Sequence, residues 1–204
     1  MLAAGVGTRL RPLTDLCPKP LCPLGGSTLL DRAIDQVEAA VGVPVAVNVH
    51  HGRDAMLAHL AGRDDVHVSV EESEALGTAG AVAALAGWLD GRAALVVNAD
   101  TVHGEDLAAF VAGWDGERVR VLMTGEGPFG PRSGVVASIV PWPDVTRLPA
   151  VPSGLWEVLW RPALEEGRLE WVHALGTVID CATVSAYVLA NRYLAEGRIS
   201  TAAL

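Results

Sequence analysis

Apolar residues in the first half of the chain follow two alternating rhythms. Short runs rich in β-branched residues, at 44–49, 66–70 ("VHVSV") and 93–98 ("AALVVN"), have the length and the bounding turn residues of strands. Between them, "STLLDRAIDQVEAA" (27–40) brings Leu30, Ala33, Ile34 and Val37 to one helical face, with Thr28 and Asp31 at capping-box spacing. Residues 78–89 ("TAGAVAALAGWL") and 104–114 ("GEDLAAFVAGW") predict two more helices. Such alternation predicts an α/β fold: a three-layer, Rossmann-like arrangement with a mostly parallel sheet and helices on both faces. Ligands of these folds sit beyond the carboxyl ends of strands, so the loops that follow strands are where chemistry is sought.

The second half is less regular. Six prolines fall between residues 128 and 154, which predicts loop around one short strand, "GVVASIV" (134–140). A helix is expected around Leu155–Glu166 as far as its proline, then short strands in "LEWVHAL" (169–175) and "TVID" (177–180), then a closing helix from near Thr183. Trp156 and Trp160, four apart on a helix, predict core packing. With no internal repeat, the 204 residues read as one domain, 1–204.

Composition narrows the function. Apolar runs are interrupted before reaching the roughly 20 residues of a membrane span, so no membrane partner is expected. No basic segment followed by an apolar stretch opens the chain, and no secretory signal is expected. Three cysteines without a C-x-x-C spacing fit reduced thiols and a cytoplasmic setting. Cys17, Cys22, His50 and His51 lack structural-zinc spacing, and Cys181 has no basic partner to make it a nucleophile. The net charge of −9 argues against sequence-independent nucleic-acid binding. Yet the chain's one lysine, Lys19, lies in "LAAGVGTRLRPLTDLCPKP" (2–20), with Arg9 and Arg11.

That opening stretch is neither a dinucleotide turn nor a P-loop. Leu10 stands where a third glycine would be, Pro12, Pro18 and Pro20 prevent a continuous helix, and G-K-[ST] is absent. What remains is a loop whose glycines let backbone N–H groups approach phosphates while Arg9, Arg11 and Lys19 supply charge. Asp100 ends one strand run and Asp180 another. Two carboxylates with phosphate oxygens and water suit Mg²⁺; a turn cap is the other reading of Asp100.

Leu2–Thr14 and Pro18–Leu21 match L-A-A-G-x-G-T-R-L-x-P-L-T and P-K-P-L. With "VNVHH" (47–51), "EALGTAGAV" (74–82), "VVNAD" (96–100) and "VIDCATVSAYVLAN" (178–191), the chain resembles the nucleotidyltransferases that join a nucleoside triphosphate to a sugar 1-phosphate. The nearest types are the short enzymes making nucleotide-activated mannose, heptose or N-acetylmuramate. The resemblance covers most of the chain, with 124–154 matching poorly. It implies a nucleotide-binding half, 1–123, and a sugar-phosphate half, 124–204. It further implies that Leu2, Ala4, Gly5, Gly7 and Thr8 meet the nucleotide, as do Glu72, Gly77 and Thr78. Arg9 would hold pyrophosphate and Lys19 the charge near the α-phosphate; Gly134 would lie near the sugar, and Asp100 and Asp180 on Mg²⁺. A homo-oligomer is left open.

A sugar 1-phosphate, with a second pKa of about 6, attacks without a general base, so positioning and charge stabilisation carry the reaction. Glu71 and Glu72 precede the "LGTAGAV" turn, and a carboxylate there suits guanine's N1–H and N2–H₂; solvated glutamates are the other reading. The expected pair is therefore GTP with a mannose- or heptose-type 1-phosphate. Three features depart from the family pattern. I-D-x-G-T-P reads Ile179-Asp180-Cys181-Ala182-Thr183-Val184, which could shift the turn. The lysine of E-K-P after Gly134 is missing, leaving Arg132 or Arg161 to substitute. Few residues precede Leu2 to form a first strand, so added upstream residues are expected to raise the melting temperature. These departures keep a catalytically silent nucleotide-binding regulator as the alternative. A glycosyltransferase ranks third, since Asp100-Thr101-Val102 is not D-x-D.

Overall fold

The computed structural model describes residues 1–42 and 44–199. Among the described residues ten strands and eight α-helices alternate, beginning with a hairpin of β1 (Pro23–Leu24) and β2 (Ser27–Thr28). Helix α1 (Leu29–Val41) buries Leu30, Ala33, Ile34 and Val37, the face its periodicity predicts. The Thr28 hydroxyl accepts from the Asp31 amide at 3.0 Å, and Gly42, at φ 60°, ends the helix in the left-handed conformation.

Strand β3 (Val45–Val49) is buried at every position and runs parallel to β4 (Val66–Val70); α2 (Arg53–Leu60) connects them. Helices α3 (Gly77–Ala84) and α4 (Ala86–Leu89) lead to β5 (Ala94–Val97). After β6 (Thr101–His103) and α5 (Leu107–Ala112) come β7 (Val119–Thr124) and β8 (Gly134–Val140), then α6 (Trp142–Val145), α7 (Arg161–Glu165) and β9 (Leu169–His173). Strand β10 (Val178–Asp180) and α8 (Val184–Ala195) complete the order. Leu2 bridges in parallel to both Asn48 and Asn98, joining the β3–β4 pair to the sheet β5-β8-β7-β9.

One apolar core packs α1, α2 and α5 on one face of this sheet, and a second packs α3, α4, α6 and α7 on the other. The three α/β layers are thus those expected, with a mixed sheet. The β3–β4 and β7–β9 pairs are parallel, whereas β8 runs antiparallel to both β5 and β7. A third core gathers Leu10, Cys22, Leu24 and Leu29 of the N-terminal segment with Ile179, Cys181 and Ala190 near the C-terminal helix. It fixes the opening loop against the β6–β10 ribbon.

Pro162 does not end the helix that holds it. Trp156–Trp160 winds as a π-helix straight into α7, with Pro162 at the junction between the two. Both tryptophan rings meet Phe129 edge-on, at 5.7 and 5.8 Å between centroids, in the core role expected.

Candidate active site

A cavity of about 570 Å³ opens where β3, β5 and β7 end, within the size range of small-molecule sites. Asn48, Asn98 and Thr124 stand at those strand ends. The opening loop contributes Leu2, Ala4 and Gly5, the turn before α3 contributes Ala75, and the first residues of α3 contribute Gly77 and Thr78. Gly134 and Val135 face them, and Asp100, Thr101, Val178 and Asp180 close one end.

Strand register sets the acidic end. In the antiparallel β6–β10 pair, Asp180 lies opposite Thr101, so the two aspartates reach the same end of the cavity. The Cys181 amide donates to the Asp100 carbonyl at 2.9 Å, and the Thr183 hydroxyl caps α8. Ala182 and Val184 therefore leave Asp180 in register and α8 capped. Cys181 is fully buried; burial, reinforced by the Asp100 charge, pushes its thiol up to about 12.

Between the carboxylates stands Lys19. Its ammonium is ion-paired to Asp100 and lies 3.8 Å from Asp180. The lysine side chain is 8 % exposed, against 62 % for Asp180, so its charge is removed from water and needs these partners. A 3₁₀ turn over Lys19–Leu21, bounded by Pro18 and including Pro20, holds the backbone. Gly7, at φ 69°, packs directly against the lysine, and its carbonyl accepts from the Thr14 hydroxyl at 3.0 Å. Gly134 is also fixed by close approach, because the Thr124 hydroxyl occupies the space a β-carbon would take.

The turn before α3 is strapped by the proline-rich loop. The Ala79 amide donates to the Ser153 carbonyl and the Ser153 amide to the Leu76 carbonyl, each at 3.0 Å. The Thr78 hydroxyl accepts from the Leu155 amide at 2.8 Å.

The cavity thus brings together Leu2, Ala4, Gly5, Gly77, Thr78, Asp100, Gly134 and Asp180, with Lys19 at its acidic end. Gly7, Thr8, Arg9, Lys19 and Glu72 are not among its lining residues, Lys19 being joined to the cavity through Asp100 and Asp180. Thr8 and Arg9 begin an exposed 3₁₀ turn, and Glu72 is exposed and paired with Arg53 at 2.5 Å. Arg132 is exposed two residues before Gly134, while Arg161 is exposed at the start of α7. Sequence reasoning misses Asn48 and Asn98. Each is a polar residue in or beside an otherwise apolar strand, which is the available signal.

A family model, described as the MobA-like NTP transferase domain, matches residues 1–175. The chain belongs to this family. Asp180 and Val178 of the cavity lie beyond the part matched to the MobA-like domain. Among curated proteins, the chain is 36 % identical over 133 residues to the N-acetylmuramate alpha-1-phosphate uridylyltransferase of Caulobacter vibrioides, covering 60 % of this chain and 55 % of that protein. It is 34 % identical over 111 residues to the mannose-1-phosphate guanylyltransferase of Mycobacterium tuberculosis, covering 53 % of this chain and 31 % of that protein. The match therefore spans about half the length of the first relative and a third of the second. In fold it is similar to HddC from Yersinia pseudotuberculosis, solved with GMP-PN, at a TM-score of 0.75 and 18 % identity over 95 % of this chain and 97 % of that one.

Proposed function

We propose that this chain transfers a nucleotidyl group from a nucleoside triphosphate to a sugar 1-phosphate, releasing pyrophosphate and forming a nucleotide-sugar. The observation that carries this reading is the β6–β10 register, which sets Asp100 and Asp180 with Lys19 at one end of a cavity walled by the glycine loop. The named activities of the two curated relatives support the same reaction class.

Asp100 and Asp180 fit a Mg²⁺ ion: both are hard oxygen donors, they stand on either side of a cation already, and one is open to solvent. Among the described residues no three or more His, Cys, Asp or Glu side chains gather as a metal site. The remaining ligands of the ion would therefore be phosphate oxygens and water. When bound, Mg²⁺ would neutralise phosphate charge. Lys19 would hold the α-phosphate, and Arg9, exposed on its 3₁₀ turn, the leaving pyrophosphate. An oxygen of the sugar phosphate forms the new bond to the α-phosphorus, and the bond to the bridging oxygen of pyrophosphate breaks. Glycines 5 and 7 and Thr8 meet the phosphates and ribose, Leu2, Ala4, Gly77 and Thr78 the nucleoside, and Gly134 the sugar.

The first nucleotide and sugar to test are GTP and mannose or heptose 1-phosphate, supported by the guanylyltransferase relative and by the guanine nucleotide in the HddC structure. A second pair, UTP with N-acetylmuramate 1-phosphate, is favoured by the uridylyltransferase relative. Glu71 and Glu72 do not line the cavity and so give no support to guanine.

Pyrophosphate release with Mg²⁺ from five triphosphates (GTP, UTP, dTTP, CTP and ATP) against mannose, glucose, heptose and amino-sugar 1-phosphates tests the proposal. One productive pair, lost in both Lys19→Ala and Asp100→Asn, is the expected result. Nucleotide binding without release in any combination would leave the regulatory alternative.

A further inference from the structure

Glu71 is buried, at 4 % exposure, yet it is not part of the cavity wall. One carboxylate oxygen accepts from the Asn48 side-chain amide at 2.7 Å, and the other accepts from the Leu76 backbone amide at 2.9 Å. Asn48 in turn accepts the Ala3 backbone amide on its own oxygen at 2.7 Å. A single line of hydrogen bonds therefore runs from the opening loop, through β3, to the turn before α3. Its ends, Ala3 and Leu76, directly adjoin Leu2, Ala4, Ala75 and Gly77, which line the cavity as Asn48 itself does.

Buried polar groups are costly unless paired, so such a line acts as a unit. Its polarity is also constrained. Backbone N–H donors stand at both ends, and between them one amide and one carboxylate satisfy every contact. With two amides, one pair of donors must collide: turning either side chain only moves the mismatch among the Leu76, middle and Ala3 contacts. With two carboxylates, the middle contact has no hydrogen to share.

We infer that Glu71 is a positioning residue, which acts through Asn48 and Leu76 to hold the opening loop and the turn at the separation a nucleotide needs. This rests on the reading of the cavity as a nucleoside triphosphate site. Glu71 touches no ligand in this role, and its carboxylate is committed to holding the turn.

Reversing the pair tests the inference. Glu71→Gln and Asn48→Asp each break the donor–acceptor order. In the double variant, the carboxylate now at position 48 accepts from the Ala3 amide and from the side-chain amide now at position 71. The oxygen of that same side chain accepts from the Leu76 amide, so all three contacts are restored. With GTP and UTP as probes in the presence of Mg²⁺, each single variant should raise the KM of whichever triphosphate the parent uses by about tenfold, with kcat changed less than twofold. The double variant should have a KM below that of either single variant, and above that of the parent because Asn48 lines the cavity and its replacement leaves a carboxylate there. In parallel, amide NMR spectra of the full chain, without ligand, should show the Leu76 or the Ala3 amide displaced and less protected from hydrogen exchange in Glu71→Gln, according to which end takes the mismatch, with the protection of both regained in the double variant. Recovery of the fold by the double variant, should Asn48→Asp fail to fold, is the same rescue.

A parent-like KM in Glu71→Gln, Ala3 and Leu76 amides both unmoved, or a double variant no better than the singles would overturn the inference. If the parent binds and turns over no triphosphate, the nucleotide reading fails instead, while the Ala3 and Leu76 amides still decide whether Glu71 couples the loop to the turn.

Discussion

A β-carbon on Gly7 would stand 2.9 Å from the β-carbon of Lys19. It would also meet the Thr14 methyl at 3.0 Å, on a backbone with φ at 69°. The second glycine of the opening loop is therefore defined by the lysine it packs against as much as by its own turn. Gly7→Ala is expected to lower stability by about 1–2 kcal/mol, the cost of a left-handed L-residue, and to push Lys19 away from Asp100. Pyrophosphate release should fall at least tenfold, while Gly5→Ala, where a β-carbon meets open space, should fold as stably as the parent. Equal stability losses in the two variants, by urea unfolding, would refute the packing argument.

Lys19 neutralises two carboxylates that would otherwise repel each other. Lys19→Met should therefore have two opposite effects. Turnover should drop by roughly 10²–10³, the range seen on removing a charge-stabilising group, because no other lysine can substitute. Mn²⁺ binding without nucleotide, followed by electron paramagnetic resonance, should tighten, because the competing ammonium is gone. Asp100→Asn should lose both activity and about 1–3 kcal/mol of stability, since it leaves a buried ammonium short of a partner. Weaker Mn²⁺ binding in Lys19→Met would argue against Asp100 and Asp180 as the metal pair.

Much of this arrangement is legible in the sequence, for definable reasons. Helix α1 is written in a 3.6-residue apolar period and a threonine cap, both local properties. The three strand runs at 44–49, 66–70 and 93–98 contain β3, β4 and β5 because valines recur in each, although only β3 is buried throughout and β4 carries His67 and Ser69 on a partly exposed strand. Strand β7 is not legible in the same way: the arginine in "VRVLMT" breaks the apolar run, and that side chain pairs with the distant Glu170, at 2.6 Å. The antiparallel direction of β8 likewise depends on long-range pairing with β5 and β7. At the site, glycines and Lys19 announce themselves by type and spacing. Asn48 and Glu71 do not, because their function lies in contacts 23 and 45 residues apart in the chain.

The three cysteines should separate by reactivity. Cys17 is partly exposed, whereas Cys22 and Cys181 are buried. Burial pushes the Cys22 thiol up to about 12, helped by its contact with Cys17 at 3.7 Å, and burial pushes Cys181 up to about 12 as well. At pH 8 each would hold roughly one thiolate in 10⁴, and only the thiolate is alkylated quickly. Iodoacetamide on the folded protein should modify Cys17 alone within the time that denatured protein takes up label at all three positions. Peptide mass mapping reads the result, and labelling of Cys181 at the rate of Cys17 would remove the case for an inert thiol beside Asp180.

His103 gives stability a predictable pH dependence. It lies in β6, at 4 % exposure, where its ring accepts from the Glu105 amide at 3.3 Å. Burial lowers its pKa below the ordinary 6.5, with the Glu105 charge opposing. The folded state thus resists a proton that the unfolded chain binds at about 6.5. Above that pH neither state is protonated and the group has no effect. As the pH falls through 6.5 the unfolded state gains protons first, so stability declines, by at most about 1.4 kcal/mol per pH unit, until the folded pKa is reached. His103→Asn keeps an acceptor for Glu105 but cannot titrate. The stability difference between parent and variant, measured by urea unfolding at intervals from pH 8 to pH 5, should be constant above pH 7 and shift in the variant's favour below 6.5. A difference that stays flat across the whole range would mean that His103 accepts its proton as readily folded as unfolded, and that β6 is more open to water than its packing against β10 implies.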